Sequence, residues 1–174
     1  TGNLKFFKNL LKKYKKVVIK TLFNKGGEGI EMVDVKRSEE AIEQFLKLIN
    51  KYEVPVVVQK FIENVKNGDK RVILVDGNPA GVINRVPQKG HFKANLHLGA
   101  TAEVTDLTDK EKKICKSLKK SLIKENLFLV GIDLIDETLT EINVTSPTGI
   151  VQIKELSGIN IAEKIWEKLI AKHR

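Results

Sequence analysis

Apolar residues recur at helical spacing in the first stretch of the chain, at Leu4, Phe7, Leu10, Leu11 and Tyr14, with lysines between them on the outer side. This predicts a surface helix. Val17-Val18-Ile19 is a short β-branched run ending in Lys20; Asn24-Lys25-Gly26-Gly27-Glu28-Gly29 follows, and Ile30-Glu31-Met32-Val33 resumes the apolar pattern. The expected order is strand, glycine loop, strand. Ser38 ahead of Glu39 and Glu40 predicts a helix start, because a short side-chain oxygen caps free amides and early acids suit the helix dipole. Ala41, Ile42, Phe45, Leu46 and Ile49 form its expected buried face. Pro55 then introduces Val56-Val57-Val58-Gln59, which reads as a buried strand.

Polar residues from Glu63 to Lys70, with Asn67-Gly68-Asp69 among them, predict a loop. Arg71 to Val75, the Asp76-Gly77-Asn78-Pro79 turn and Ala80 to Val86 predict a hairpin, and Pro87 to Gly99 shows no period. Thr108 and Glu111 fit a capping box for a helix carrying Ile114, Leu118 and Leu122 and running to about Glu125. Leu127 to Ile135 and Leu139 to Val144 read as paired strands. Asn160 and Glu163 offer a second capping box before Ile165, Trp166, Leu169 and Ile170. With no internal repeat or low-complexity linker, this order predicts an α+β fold with mostly antiparallel sheet.

The second hairpin carries the strongest chemical signal. Val130, Ile132, Leu134, Ile142 and Val144 share one parity, and Asp133, Glu141 and Asn143 the other. A three-residue loop, Asp136 to Thr138, would set Asp133 opposite Glu141; a two-residue loop would set it opposite Thr140 and split the acids across the sheet. Two carboxylates and an amide oxygen together repel unless a hard cation such as Mg²⁺ or Mn²⁺ lies among them. The plainer alternative is a hairpin with an ordinary solvent-facing side.

Composition narrows the function classes. A chain of 174 residues, 41% hydrophobic, has the size of one globular domain, and its apolar runs are too short to span a bilayer. Thr1-Gly2-Asn3-Leu4-Lys5 has neither an initiator Met nor the order of a signal peptide, so the chain is expected to be a piece of a longer protein. The single cysteine, Cys115, excludes an internal disulfide and a cysteine metal cage and fits a reducing, cytoplasmic setting. Placed mid-helix with no acid or base beside it, Cys115 is also a poor nucleophile. Thirty-one Lys and Arg against 22 Asp and Glu give a net charge of +9, read mainly as a lysine-rich solvated exterior. Arginine occurs only at Arg37, Arg71, Arg85 and Arg174; Arg71 and Arg85 are expected at one end of their hairpin, as a carboxylate or phosphate clamp or as a surface ion pair. The glycines at 26, 27 and 29 would let backbone amides approach an anion, although the run lacks both the P-loop ending and the dinucleotide order. His91, His97 and His173 show no metal spacing and read as structural.

Asp69-Lys70-Arg71-Val72, Arg85-Val86-Pro87-Gln88, Val130-Gly131-Ile132-Asp133 and Thr140-Glu141-Ile142-Asn143-Val144-Thr145-Ser146-Pro147-Thr148, in this order, resemble prokaryotic glutathione synthetase from about Val17 to the last helix. The resemblance implies an ATP-grasp fold in which a lid subdomain (residues 1–59) and a catalytic subdomain (residues 60–174) hold ATP between two antiparallel sheets. An N-terminal substrate domain would then be missing. Position by position, it implies that Lys20, Gly26, Gly27 and Gly29 contact nucleotide phosphates, that Gln59, Phe61 and Ile62 receive adenine, and that Asp69 belongs to the nucleotide site. It further implies Asp133, Glu141 and Asn143 as Mg²⁺ ligands, Arg71 and Arg85 as catalytic and substrate-binding arginines, and Lys93, Asn95 and Ser146 as substrate contacts.

The reaction implied is ATP-driven joining of γ-glutamylcysteine and glycine through an acyl phosphate, in a cytoplasmic enzyme whose parent is expected to be a homo-oligomer, with no nucleic-acid or membrane partner. The chain alone is expected to make no glutathione. Thr21 and Asn24 depart from the usual lid motif, and Lys93 replaces a usual arginine. Between Gly90 and Gly99 the Lys93 segment is expected to be mobile without ligand, since no apolar period ties it to the core. The alternatives are another ATP-grasp carboxylate–amine ligase and a basic RNA-binding module.

Overall fold

In a computed structural model that describes residues 1–23 and 27–172, the chain divides into two units, Thr1–Glu63 and Asn64–Arg174. The first contains α1 (Leu4–Tyr14), β1 (Lys16–Thr21), β2 (Ile30–Asp34), α2 (Ser38–Tyr52) and β3 (Val56–Lys60), its strands forming an antiparallel sheet in the order β2-β1-β3. Asn3 caps α1, its side chain accepting from Phe6 N at 3.0 Å. The helices cover one sheet face: Phe7 of α1 and Phe45 of α2 stack with centroids 4.2 Å apart over Val17, Ile19 and Val56.

Two local expectations for α2 need correction. Ser38 is its first helical residue rather than its cap; a 3₁₀ turn, Val35–Arg37, precedes it, and Asp34 supplies the capping oxygen there by accepting from Lys36 N at 2.8 Å. The buried face runs through Ala41, Phe45 and Leu48, while Leu46 is 39% exposed. Five positions beyond Ala41, Leu46 lies about 140° around the helix from it.

The second unit is built on an antiparallel sheet in the order β6-β5-β4-β7-β8: β4 (Asp69–Val75), β5 (Asn78–Val86), β6 (Thr101–Val104), β7 (Leu129–Ile135) and β8 (Thr138–Asn143). Helices α3 (Asp109–Lys124), α4 (Ile150–Ser157) and α5 (Ile161–Lys172) complete it. On one face Val72, Leu74, Val130 and Ile132 pack with Cys115 and Leu122 of α3; on the other Ile73, Val75 and Ile83 pack with Ile153 of α4 and Ile161 of α5. The sheet core is therefore covered on both sides.

Strand β6 and helix α4 escape the sequence pattern. β6 is a short edge strand of mostly exposed residues; α4 is two turns bracketed by Gly149 and Gly158, both at positive φ. In α5 the apolar stripe is narrower than the spacing predicts: Ile161 is buried, whereas Trp166 is 65% and Ile170 51% exposed. Glu163 N donates to Asn160 Oδ1 at 3.4 Å. The segment before β6 is also tied to the core, contrary to expectation, through buried Ala94 and through Leu96, which packs with the Ile153 cluster. No helix among the described residues is long and apolar enough to cross a membrane.

The capping box of α3 forms as expected: Thr108 Oγ1 accepts from Glu111 N, and Glu111 Oε2 accepts from Thr108 N at 2.8 Å. Lys70 Nζ of β4 reaches the same Glu111 oxygen at 2.8 Å and Asp106 O at 2.8 Å. Glu111 is 2% exposed and thus joins a helix start to a strand. We predict that Glu111→Ala destabilises the chain by about 2–4 kcal/mol, combining a lost cap with a lost bond to a charged group. Urea denaturation would show this as a lower midpoint, with Glu111→Gln in between because its oxygen still caps Thr108 N.

Candidate functional site

Strand register builds a charged cluster on the Ile73 face of the five-stranded sheet. Asp69 pairs with Arg85, Arg71 with Asp133, Asp133 with Glu141 and Gly131 with Asn143. The expected loop rule fails instructively. The β7–β8 loop has only two residues, Asp136 and Glu137, both at positive φ, and Ile135 pairs with Thr138. Asp133 nonetheless faces Glu141, because a β-bulge after the Leu134–Leu139 pair leaves Thr140 as the extra residue.

Arg71 grips Asp133 at two points, Nε donating to Oδ1 at 2.5 Å and Nη2 to Oδ2 at 3.0 Å. Its Nη1 donates to Thr148 O at 3.1 Å. Arg85 Nη2 lies 2.7 Å from Asp69 Oδ2 and 3.0 Å from Asp133 Oδ1. The side chains of Arg71, Asp133 and Arg85 are only 7–8% exposed. Asp69 Oδ1, Arg85 Nε and Asn143 Nδ2 are buried without a hydrogen-bond partner.

The two aspartates titrate in opposite senses. Burial, then the Asp133 charge, pushes Asp69 up to about 7, against the pull of Arg85 and Arg71. Burial would raise Asp133 as well, but Arg85 and Arg71 together outweigh it and hold its carboxyl below the usual range. Arg85, buried beside both acids, is driven above the ordinary guanidinium value despite its desolvation, because Asp133 and Asp69 favour its charge. The site thus holds one firmly ionised acid and one acid near its titration point.

Glycines frame the cluster. A Cβ on Gly131 would meet Pro147 Cβ at 2.7 Å, and one on Gly149 would meet Arg71 Cγ at 3.3 Å. The Ser146–Gly149 turn can therefore close over Arg71 only because these positions lack side chains. Sequence reasoning missed this support, although a glycine inside an apolar strand is a known sign of close approach.

The remaining expected site residues fall elsewhere. In the first unit, Lys20 and Gln59 lie by register on the sheet face opposite the helices, with Val18 and Met32. Phe61 N donates to Lys16 O at 3.1 Å, and Ile62 is half-buried. Gly27 and Gly29 take positive φ, whereas Gly26 and Asn24 lie outside the described residues. Thr21 N donates to Gly29 O at 3.1 Å, a bond that the proline usual in the resembling motif could not make. In the second unit, Asn95 Oδ1 accepts from His97 N, Lys93 Nζ lies 5.9 Å from the Phe92 ring centroid, and Ser146 is exposed at positive φ. Cys115 is buried, and its burial raises the thiol pKa, as befits a structural residue.

No group of three His, Cys, Asp or Glu able to hold a metal occurs among the described residues. The donor set here is different: two carboxylates and an amide on neighbouring strands. Asp133 spends about three of its four lone-pair positions on arginine, leaving one on Oδ2. Asn143 brings a buried amide whose nitrogen has no partner, so its other orientation would offer oxygen to the same space. With Glu141 opposite Asp133, these residues fit a hard, oxygen-preferring cation.

The family profile described as prokaryotic glutathione synthetase, ATP-grasp domain, matches residues 1–158. The chain belongs to this family. A glutathione synthetase of Prochlorococcus marinus subsp. pastoris is 50% identical over 155 residues, covering 88% of this chain and 50% of that protein. One from Mesorhizobium japonicum is 37% identical over 164 residues, covering 94% of the chain and 52% of the relative. The chain spans about half the length of the curated relatives it matches. Among solved structures, D-cycloserine synthetase DcsG superposes with a TM-score of 0.72 at 15% identity, over 95% of this chain and 60% of that one. A D-alanine–D-alanine ligase from Bacillus anthracis gives 0.62 at 18% identity, over 92% of this chain and 56% of that one. At these identities the structural likeness shows the ATP-grasp fold.

The raised Asp69 implies a measurable pH effect for this family member. A carboxyl whose folded pKa exceeds its unfolded value contributes stability at low pH that is lost as pH rises from about 4 towards 7. We predict that Asp69→Asn, which keeps an oxygen for Arg85, gains thermal stability relative to the unsubstituted chain between pH 5 and 8. Thermal midpoints for both proteins across that range would check it; a constant difference would refute it.

Proposed function

We propose that this chain is the ATP-grasp portion of a glutathione synthetase, an ATP-dependent ligase that joins γ-glutamylcysteine to glycine. The observation carrying this reading is the buried Asp69–Arg85–Asp133–Arg71 cluster on an ATP-grasp sheet in a chain of this family. In the reaction, the peptide carboxylate attacks the ATP γ-phosphorus, ADP leaves, and glycine's amine displaces phosphate from the acyl phosphate. A domain arranged for positioning and charge neutralisation suits that chemistry. The buried thiol of Cys115 takes no part.

In the second unit, Arg85 keeps an unpartnered Nε–H and is the group assigned to the oxyanion that forms as the acyl carbon is attacked. Arg71, fixed by Asp133 and Thr148 O, holds the adjoining charge. Asp69 is assigned to the nucleotide. Asp133, Glu141 and Asn143 would hold Mg²⁺, which supplies charge neutralisation for phosphate oxygens when bound. In the first unit, Lys20 and the glycines at 26, 27 and 29 are assigned to nucleotide phosphates, and Gln59, Phe61 and Ile62 to adenine. Lys93, Asn95 and Ser146 are assigned to the peptide substrate. A cytoplasmic, homo-oligomeric protein goes with this reading.

The test is product formation. The chain, or the longer protein carrying it, would be given Mg²⁺-ATP with γ-glutamylcysteine and glycine, or with other acid and amine pairs, and the products weighed by mass spectrometry. Glutathione from the first mixture supports the reading; ATP-dependent ligation of only another pair would replace it with a different ATP-grasp ligase.

A finer expectation concerns Lys93. Lysine offers a point charge where arginine offers a planar fork, so its hold on a carboxylate is a single contact. We predict that Lys93→Ala raises the KM for γ-glutamylcysteine severalfold more than that for ATP, with kcat little changed, as for a lost ground-state contact. An unchanged peptide KM would remove Lys93 from the site.

A further inference from the structure

The β-bulge in β8 decides which residues face Asp133. Leu139 and Glu141 are two positions apart, so in a regular strand both would lie on one face. Here Leu139 pairs with Leu134 and packs into the α3-side core, while Glu141 pairs with Asp133 on the opposite face. The bulge at Thr140 makes this reversal possible. Were the ladder to continue regularly from the Leu134–Leu139 pair, Thr140 would face Asp133, and Glu141 and Asn143 would turn to the other side of the sheet.

Thr140 also braces the irregularity it creates. Its Oγ1 donates to the Asp133 backbone carbonyl at 3.1 Å, across the strand pair and at the point where the ladder shifts. One residue thus bonds to the backbone of one acid and immediately precedes the other.

We propose that Thr140 is a positioning residue for the cation site: its hydroxyl fixes the bulge that brings Glu141 and Asn143 to the face of Asp133. This rests on the assignment of those three residues to a divalent cation. The hydroxyl itself touches backbone, so its influence is on where the carboxylates stand. A small side chain with a hydroxyl is required. Valine matches the shape of threonine and lacks the donor; serine keeps the donor and lacks the methyl.

The experiment compares the unsubstituted chain with Thr140→Val and Thr140→Ser. Free Mn²⁺ is followed by electron paramagnetic resonance as protein is titrated with a non-hydrolysable ATP analogue present, and analogue binding is measured separately without metal. Amide hydrogen exchange at residues 141 to 143 reports the bulge independently of metal, and circular dichroism reports folding. Thr140→Val is expected to remain folded, to bind Mn²⁺ about tenfold more weakly, in the range seen when groups that orient metal ligands are lost, and to bind metal-free analogue unchanged. Exchange at residues 141 to 143 should accelerate in Thr140→Val, and Thr140→Ser should restore both exchange and Mn²⁺ affinity to within about twofold of the unsubstituted chain.

Undiminished Mn²⁺ affinity in Thr140→Val, or an equal loss in Thr140→Ser, would overturn the role of Thr140 while leaving the cation site standing. Failure of the unsubstituted chain to bind Mn²⁺ with the analogue would instead overturn the cation assignment, and the positioning role with it. If Thr140→Val fails to fold, Thr140→Ser decides: full Mn²⁺ affinity upholds the hydroxyl's role and a tenfold loss refutes it.

Discussion

The two-point bond between Arg71 and Asp133 is the constraint around which the larger unit is arranged. It joins adjacent central strands, β4 and β7, where both side chains are almost wholly removed from water. Taking either charge out of water alone would cost several kcal/mol, and removing one partner of such a pair typically costs about 3–5 kcal/mol. The neighbouring features follow from satisfying it. The third donor of Arg71 is taken by Thr148 O, which draws the turn before α4 onto the sheet, and Gly131 and Gly149 leave the room needed. Arg85 then serves two acids at once, so the cluster holds two cations and two carboxylates within one hydrogen-bonded group.

This group is an expensive way to fill the end of a sheet, since apolar side chains of similar volume would usually stabilise it as well or better. Under the proposed function its benefit lies in readiness. Dipoles and charges already oriented need not reorganise when charge develops on a reacting group. The Arg85 Nε–H and Asp69 Oδ1, like Asn143 Nδ2, are buried without a hydrogen-bond partner in a cluster otherwise held by short ion pairs, and under the proposed function they are groups left for a ligand. The apolar layers beneath, centred on Ile73 and Ile83 on that face and on Val72 and Ile132 on the other, supply the rigidity that holds them there.

Much of this was legible in the sequence, and the misses share a cause. Periodicity located α1, α2, α3, α5 and the main strands, because each buries enough apolar side chain to leave a repeating pattern. The Thr108–Glu111 capping box was legible because it is wholly local. β6 and α4 were not, since a short edge strand and a two-turn helix bury too little to mark the chain. The Asp34 cap in place of Ser38, and Leu48 in place of Leu46, show tertiary packing and a preceding turn overriding local preference. The acids were legible as a group through their parity and through the family motif. Their pairing was not legible from loop length, because the rule linking loop to register assumes a regular ladder, and the bulge at Thr140 breaks it.

The bulge also explains how this hairpin serves both a core and a charged site despite its two-residue turn. A regular strand has two faces and one period, so a two-residue turn commits every later residue to a side. By absorbing Thr140 in a bulge after Leu139, β8 keeps its leucine under α3 and still presents Glu141 and Asn143 with Asp133. Arginine usage follows the same separation of roles. Of the three arginines among the described residues, the two in the sheet are the ones buried against carboxylates, while lysines carry most of the +9 charge. A planar guanidinium can satisfy two acids in a dry, crowded place, and a flexible ammonium is best left hydrated. Surface charge and site charge are in this way chemically distinct: net charge alone could not point to function, whereas the positions of two arginines and the residues opposite them could.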